Sequence, residues 1–473
     1  MHHPCGGLTR HGFGGTTIAE GSRSRNEAGH TADAEFRSGR YRDAIPPRLT
    51  RLRRHPHARR ARRKSRARRN LSDCRLRPSN RATGELSVAR SHRRAKRDVD
   101  RRCAGDAALR KLFGRDQQQG EAAAYLCVWT SLRVNLDTRA DSKNVAAGFG
   151  GTIGRTPHIV LPKLSAALGR TIVGKAEFLN PGGSVKDRAA KGIVDDAEHR
   201  GALGPGGTIV EGTAGNTGIA LALIGNARGY RTIICVPDDQ SPEKYELLRT
   251  FGADLRIVPA APFANPENYY HVAQRIAAQI PGAIWADQFN NIANRRAHYE
   301  TTGPEIWEAL GERLTAFVAA CGTGGTLAGA GAALKERDPR VRVVLCDPEG
   351  SSLFCYVEAG TLDAPGDSIT EGIGIKRITK NFEGAPVDDA LRIDDRAMVE
   401  MAYWLLGEEG LFVGGSAALN VVGASRLART LPEGSTVVTI LCDGGERYRS
   451  RLWNAEWLRE NDLVPSASGL AFL

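Results

Sequence analysis

The sequence predicts an α/β protein: two open, parallel-type twisted sheets wrapped by helices, preceded by a disordered Arg-rich N-terminal segment. Three observations carry this. First, charge is split along the 473 residues: residues 1–140 hold 33 Lys and Arg against 13 Asp and Glu, a net +20, whereas the rest hold 33 against 40, a net −7. Second, from about Val145 strand-like apolar runs alternate with helix-like ones, the pattern of parallel sheets with crossover helices. Third, three glycine-rich segments sit where a strand-like run gives way to a helix-like one, the edge at which open sheets receive ligands.

The first segment contains Arg51-Leu52-Arg53-Arg54 and the run Ala61 to Arg69, and only 3 of its 33 basic residues are lysine. Such a chain buries too little apolar surface to offset its conformational entropy. A polyanion-binding arm, a targeting extension and a translated stretch upstream of the true start are the three readings. The bias of Arg over Lys favours the last. Aromatic residues are nearly absent from the arginine clusters, which argues against a nucleic-acid partner. The N-terminus lacks the basic, apolar, small-residue order of a secretory signal. Its longest apolar run, Ala122 to Trp129, is too short to cross a bilayer. Nine cysteines occur with no CxxC pair, so reduced thiols and a cytoplasmic setting are expected. No metal-ligand spacing is visible, and no metal is expected.

Strands are expected at Thr171–Phe178, Thr208–Glu211, Thr232–Val236, Leu255–Val258, Ala283–Ala286, Ala316–Cys321, Val341–Cys346 and Val437–Leu441. Their unbroken β-branched runs suit strands covered on both faces. Helices are expected at Lys186–His199, Gly218–Ala227, Glu243–Phe251, Tyr269–Gln279, Leu327–Glu336 and Asp395–Glu409.

Between the first strand and the first helix lies Asn180-Pro181-Gly182-Gly183-Ser184-Val185-Lys186-Asp187-Arg188. A lysine in such a turn is a candidate for losing its proton by desolvation, and a neutral amine forms a Schiff base with an aldehyde. After the strand Ala316–Cys321 comes Gly322-Thr323-Gly324-Gly325-Thr326, whose free N–H groups at a helix start suit a phosphate. The alternative is a tight turn with no ligand. Gly212-Thr213-Ala214-Gly215-Asn216-Thr217-Gly218 offers uncharged donors at another helix start, with Asn216 or Thr217 as a simple N-cap on the plainer reading. Ser416, after Gly414-Gly415, reads in isolation as an N-cap.

Together these segments resemble the cysteine synthases (O-acetylserine sulfhydrylases), pyridoxal phosphate enzymes with the tryptophan synthase β-like fold. The resemblance runs from about Asp141 to about Leu463. It includes Ile153-Gly154-Arg155-Thr156-Pro157, Thr301 to Trp307, Glu371-Gly372-Ile373-Gly374 and Gly445-Glu446-Arg447-Tyr448. It implies pyridoxal 5′-phosphate as cofactor, with Lys186 carrying it and serving as the catalytic base. It implies Asn216 at the cofactor's 3′-oxygen, Gly322, Thr323, Gly324, Gly325 and Thr326 as the phosphate cup, and Ser416 at the pyridine nitrogen. Thr213, Ala214, Gly215, Asn216, Thr217 and Gln288 would receive the substrate carboxylate, and Gly372 and Ile373 would line the reacting carbons. The implied reaction makes L-cysteine from O-acetyl-L-serine and sulfide through an aminoacrylate intermediate. A hydroxyl at the pyridine nitrogen makes the ring a weaker electron sink and couples α-proton loss to expulsion of the leaving group.

The resemblance also implies domains: residues 1–140 as the extension, 141–188 plus 291–463 as a large cofactor-binding domain, 189–290 as a small mobile domain, and 464–473 as a tail. It implies a homodimer able to dock the C-terminal tail of serine acetyltransferase. Departures from the family pattern are Ala214, Gly183, Ala418 and Cys442-Asp443, the last placing a carboxylate near the cofactor. A cystathionine β-synthase-like or serine/threonine dehydratase-like lyase is the alternative within the fold; a weakly active scaffold for serine acetyltransferase is the alternative outside enzymes. His298 reads as a helix-face or interface histidine, Cys321 as a small buried residue, and Trp404, Trp453 and Trp457 as packing or a dimer surface.

Overall fold

A computed structural model of the chain describes residues 145–213 and 215–473. The Arg-rich segment and Ala214 lie outside the described residues. Among the described residues ten strands form two sheets. The six-stranded sheet has the order β1-β2-β10-β7-β8-β9, with β1 at His158–Val160, β2 at Thr171–Ala176, β7 at Leu314–Ala320, β8 at Arg342–Pro348, β9 at Asp389–Ile393 and β10 at Thr436–Leu441. The four-stranded sheet has the order β5-β4-β3-β6, with β3 at Thr208–Gly212, β4 at Arg231–Pro237, β5 at Asp254–Val258 and β6 at Ala283–Trp285. All pairings are parallel except β1 with β2, which is antiparallel.

The apolar runs became central strands for the reason their composition suggested. Every residue of β3 and β10 is buried, as expected for strands covered on both faces. One face of the larger sheet packs on helices α10 (Asp395–Trp404) and α11 (Gly415–Thr430), through residues such as Ile172, Val344, Met401 and Val422. The opposite face packs on α7 (Gly303–Leu310) and α8 (Gly325–Arg337), through Val173, Phe317, Ile306 and Leu327. Each such aliphatic side chain contributes about 1.5–3 kcal/mol on full burial. The smaller sheet lies among α2 (Lys186–His199), α3 (Asn216–Arg228), α4 (Pro242–Thr250) and α5 (Tyr269–Gln279).

Helices α2 and α5 have the expected bounds. The helix expected at Asp395–Glu409 changes after Trp404 into a π-turn, Leu405–Glu409, that ends at left-handed Gly410. Edge strands β1 and β9 and helix α11 were not read from the sequence. β9 is only half buried and mixes charge with apolar residues, and the small-residue start of α11 lacks a helical stripe. Trp404, Trp453 and Trp457 pack against the core on the α10–α11 side, in line with a packing role.

A charged cluster lies where the end of β2 meets α2 and α7. Arg188 donates to both oxygens of Glu177, at 2.8 and 2.9 Å, and to both of Glu305, at 2.8 and 2.7 Å. Lys175 donates to Glu305 at 2.7 Å. Burial alone would raise the Glu305 carboxyl, yet the hydrogen bonds and charge of Arg188 outweigh it and hold it at about 2. Two acids against two bases, with paired lone pairs, is the arrangement in which buried charges are tolerated.

Candidate active site

The strand order brings β2, β10 and β7 side by side, so three loops at their carboxyl ends converge. They are the Asn180–Lys186 turn after β2, Cys442-Asp443 after β10, and Cys321–Thr326 after β7. A backbone bond joins the first two, Val185 N donating to Cys442 O at 2.9 Å, and Gly414 N, ahead of α11, donates to Asp443 O at 3.0 Å. The smaller sheet presents its own carboxyl edge, with Thr213–Thr217 after β3 and Asp287-Gln288-Phe289 after β6. Between the two edges is a cavity of about 160 Å³. A single water needs only about 10–15 Å³ of such space, so the cavity suits a small molecule.

Its wall includes Lys186, Thr213, Gly215, Asn216, Thr217, Gln288, Gly322, Thr323, Gly324, Thr326, Gly372, Ile373 and Ser416. Gly325 stands one step behind them as the first residue of α8. The site residues expected from the sequence are thus brought to one place, apart from Ala214, which is not described.

Lys186 begins α2. Among the described residues its ammonium has no hydrogen-bond or ion-pair partner. The turn before it is fixed from several sides. Asp187 accepts from Gly182 N at 2.5 Å, and Asn180 Oδ1 accepts from Gly154 N at 2.8 Å. Gly183 takes φ +77°, a region that favours glycine. Burial pushes the Asp187 carboxyl up to about 7, against the pull of the Gly182 N–H and Arg447.

The β7–α8 junction is a cradle with no spare room. A Cβ at Gly322 would overlap the Gly372 carbonyl, one at Gly324 would strike Phe382, and one at Gly325 would overlap the Asn294 carboxamide. Asn294 Nδ2 donates to Thr323 Oγ1 at 2.9 Å, and Thr379 Oγ1 donates to Thr323 O at 2.8 Å. The N-cap Gly324 makes no side-chain cap; Gly325 N donates to Thr323 Oγ1 at 3.4 Å, and the N–H groups of Thr326 and Leu327 remain for a ligand.

His298, read as a helix-face or interface histidine, opens the helical turn His298–Thr302 and faces inward. It is 1% exposed, with Nδ1 at 2.8 Å from Thr302 Oγ1 and Nε2 at 3.1 Å from Thr326 Oγ1. Burial, then the charge of Arg188, drive it down to about 3, so the ring stays neutral behind the cradle. Cys321 is 1% exposed and burial raises its thiol well above normal, which suits a packing residue rather than a nucleophile.

On the facing side, Thr217 donates to Gln288 Oε1 at 2.5 Å, and Gln288 Nε2 donates to Gly212 O at 3.3 Å. Gly215 N donates to Thr213 Oγ1 at 3.2 Å. The N-cap of α3 is Gly215, at φ +141°, and neither Asn216 nor Thr217 caps the helix. That settles the N-cap alternative for this segment. It also fails for Ser416: the N-cap of α11 is Gly414, and Ser416 turns to the cavity, where its hydroxyl meets the Cys442 thiol. Burial raises that thiol to about 12.

Sequence reasoning missed several wall residues. Lys244 and Glu371 form a buried ion pair, extended by Arg451 to Glu371 at 3.0 Å. Together with Lys186 they are the charged residues of the wall. Glu371 sits in a segment whose resemblance was noted, whereas a lysine inside α4 gave no local sign. Asn420 bridges the strands where β7 and β10 diverge, accepting from Ala320 N at 2.6 Å and donating to Ile440 O at 2.8 Å. Asp443, which the sequence left near the cofactor, accepts from Asn216 Nδ2 and from the Tyr448 hydroxyl, each at 2.6 Å.

An amine with no partner among the described residues, a glycine cradle at a helix start and a neutral hydroxyl in the same cavity fit pyridoxal 5′-phosphate, which needs an amine for its aldehyde, N–H donors for its phosphate and a contact for its ring nitrogen. The fold and cavity therefore define a pyridoxal-phosphate enzyme, and residues 150–443 match the family described as "Pyridoxal-phosphate dependent enzyme". Cysteine synthase 1 of Neurospora crassa is 52% identical over 328 residues, covering 68% of this chain and 87% of that protein. Cysteine synthase 1 of Emericella nidulans is 52% identical over 321 residues, covering 67% and 87%. Among solved structures, an O-acetylserine dependent cystathionine beta-synthase from Helicobacter pylori is 37% identical with a TM-score of 0.60, covering 65% of this chain and 98% of that one. The chain belongs to the cysteine synthases of this pyridoxal-phosphate family. No helix among the described residues is long and apolar enough to cross a membrane, and no group of residues there has the make-up of a metal site.

Proposed function

We propose that the protein makes L-cysteine by β-replacement on O-acetyl-L-serine with sulfide. The observation that carries the reading is Lys186: an amine with no partner among the described residues, in a cavity whose wall includes a glycine cradle at a helix start. When bound, pyridoxal 5′-phosphate supplies an aldehyde for amines and a ring that draws electrons from the substrate α-carbon. Gly322 to Thr326 hold its phosphate, Asn216 meets its phenolic oxygen and Ser416 its ring nitrogen. Lys186 anchors it, then takes the α-proton of the donor and returns a proton in the second half-reaction.

Thr213 to Thr217 and Gln288 receive the donor carboxylate at the start of α3, where the free N–H groups favour an anion. The Thr217–Gln288 bond keeps both side chains turned to it. Gly372 and Ile373 line the space beside the reacting carbons. Ser416 offers a neutral hydroxyl and no carboxylate, so it would not hold a proton at the ring nitrogen. Movement of residues 189–290 against the rest would exclude water during the reaction. A homodimer, a cytoplasmic setting and docking of a serine acetyltransferase tail complete the reading. Size measurement and co-purification with the peptide tail check the first and last.

The experiment is a pair of assays with the cofactor-loaded protein. O-acetylserine alone should change its visible absorbance, and O-acetylserine with sulfide should yield L-cysteine faster than serine with homocysteine yields cystathionine. Faster cystathionine formation would move the protein to the lyase alternative. An absorbance that ignores O-acetylserine would favour the scaffold alternative.

A further inference from the structure

Asn216 is held at both ends. Arg447 Nη1 donates to its Oδ1 at 2.6 Å, and its own Nδ2 donates to Asp443 Oδ2 at 2.6 Å. Tyr448 donates to the same carboxylate oxygen. The second guanidinium nitrogen, Nη2, donates to Gly182 O, in the turn that leads to Lys186. Asp443 is fully buried, and Arg447 and Tyr448 are 4% and 5% exposed.

Two unusual residues now have one explanation. A Cβ at Gly183 would overlap Arg447 Nη2, so glycine there makes room for the guanidinium. Asp443 supplies the carboxylate that takes the other end of the amide. Rotating the amide by half a turn would place NH₂ against a guanidinium and oxygen against a carboxylate, both unfavourable. The oxygen and one N–H are therefore committed, and a single N–H is left for the cavity.

We propose that Arg447 and Asp443 are positioning residues that lock Asn216 as a one-proton donor, so that the oxygen it receives is an acceptor without its proton. On the function proposed above, on which this rests, that oxygen is the phenolic oxygen of pyridoxal phosphate in its ionised form. Through Gly182, Arg447 also sets the turn of Lys186 relative to Asn216, so one side chain fixes both contacts to the same ligand.

The absorbance of the cofactor-loaded protein tests this. In Arg447→Gln and in the isosteric Asp443→Asn the amide is released. The visible band of the ionised form should lose intensity to the near-ultraviolet band of the protonated form, and affinity for pyridoxal phosphate should fall roughly tenfold. Arg447→Lys should recover part of the native spectrum. In an Asn216→Ala background the same substitutions should add nothing further. Native spectra in both variants, or an equal shift without Asn216, would overturn the proposal. A second readout needs no cofactor: in the full chain labelled with ¹⁵N-asparagine, one side-chain amide proton of Asn216 should exchange slowly, and should exchange fast in Asp443→Asn. Two fast protons in the native protein would contradict the clamp. A protein that binds no pyridoxal phosphate would sink the functional reading, while the amide spectrum would still decide the clamp.

Discussion

Two strand-to-helix junctions face each other across the cavity, and they are built to different standards. Both follow a buried parallel strand, both have a glycine N-cap, and neither spends a side chain on capping. The β7–α8 junction is packed solid: three of its glycines have no space for a Cβ, and Thr323 is tied to Asn294 and Thr379. At the β3–α3 junction Gly212, Gly215 and Gly218 have no space for a Cβ either, but the cavity-lining Gly215 meets only the Lys244 side chain, and the bonds run through side chains of the wall itself: Gly215 to Thr213, Asn216 to Asp443 and Arg447, Thr217 to Gln288. The tightly packed cradle suits a group that stays through every turnover. The loop held through side chains, with a lysine chain as its neighbour, suits a substrate that enters and leaves. Similar local sequence thus serves two purposes, and the surrounding contacts decide which.

The comparison can be broken at several points. The largest effect belongs to the residue that serves both sides: Lys186→Ala should lower cysteine formation by about 10³-fold, within the range of a lost general base. Cysteine production from O-acetylserine and sulfide measures this, and near-native turnover would refute the assignment. Next is the cradle. Gly325→Ala meets the Asn294 carboxamide and should weaken pyridoxal phosphate binding by roughly 100-fold, with little change in KM for the donor once the cofactor is saturating. Thr217→Val should do the reverse, raising KM for O-acetylserine about tenfold while cofactor affinity stays native. If both variants changed the same constant, the division of labour would be wrong.

The smallest effect is a pH dependence. His298 is held neutral in the fold down to about pH 3, whereas the unfolded histidine takes its proton near 6.5. Its contribution is intact above pH 6.5 and drains away as pH falls toward 3, because only the unfolded chain binds the proton in that window. Glu305, held at about 2 against 4.5 unfolded, acts in the same direction below pH 4.5. Melting temperatures of His298→Gln should therefore fall less steeply than native between pH 6.5 and 4.5. Parallel curves would contradict the neutral, buried histidine.

Much of this site could be read from the chain because each junction is local: a strand, a few glycines and a helix lie within a dozen residues. The strands of the central sheet were equally legible, since burial on both faces leaves an unbroken apolar run. What escaped was whatever depends on distant partners. Asn294 and Thr379 brace the cradle from other parts of the chain, and nothing in their neighbourhoods marks them. Lys244 meets Glu371 across 127 residues. Asp443 was noticed as a carboxylate near the cofactor, but its partner Asn216 lies 227 residues away, at the carboxyl edge of the other sheet. Ser416 read as a cap because a lone hydroxyl after two glycines usually is one; the strand beside it turned it to the cavity.

The central claim is that Lys186 is the residue bonded to the cofactor. Borohydride reduction of the cofactor-loaded protein, followed by digestion and mass measurement, tests it most directly. The peptide containing Lys186 should carry the pyridoxyl mass and the Lys244 peptide should not; an unmodified Lys186, or label on another lysine, would contradict the account.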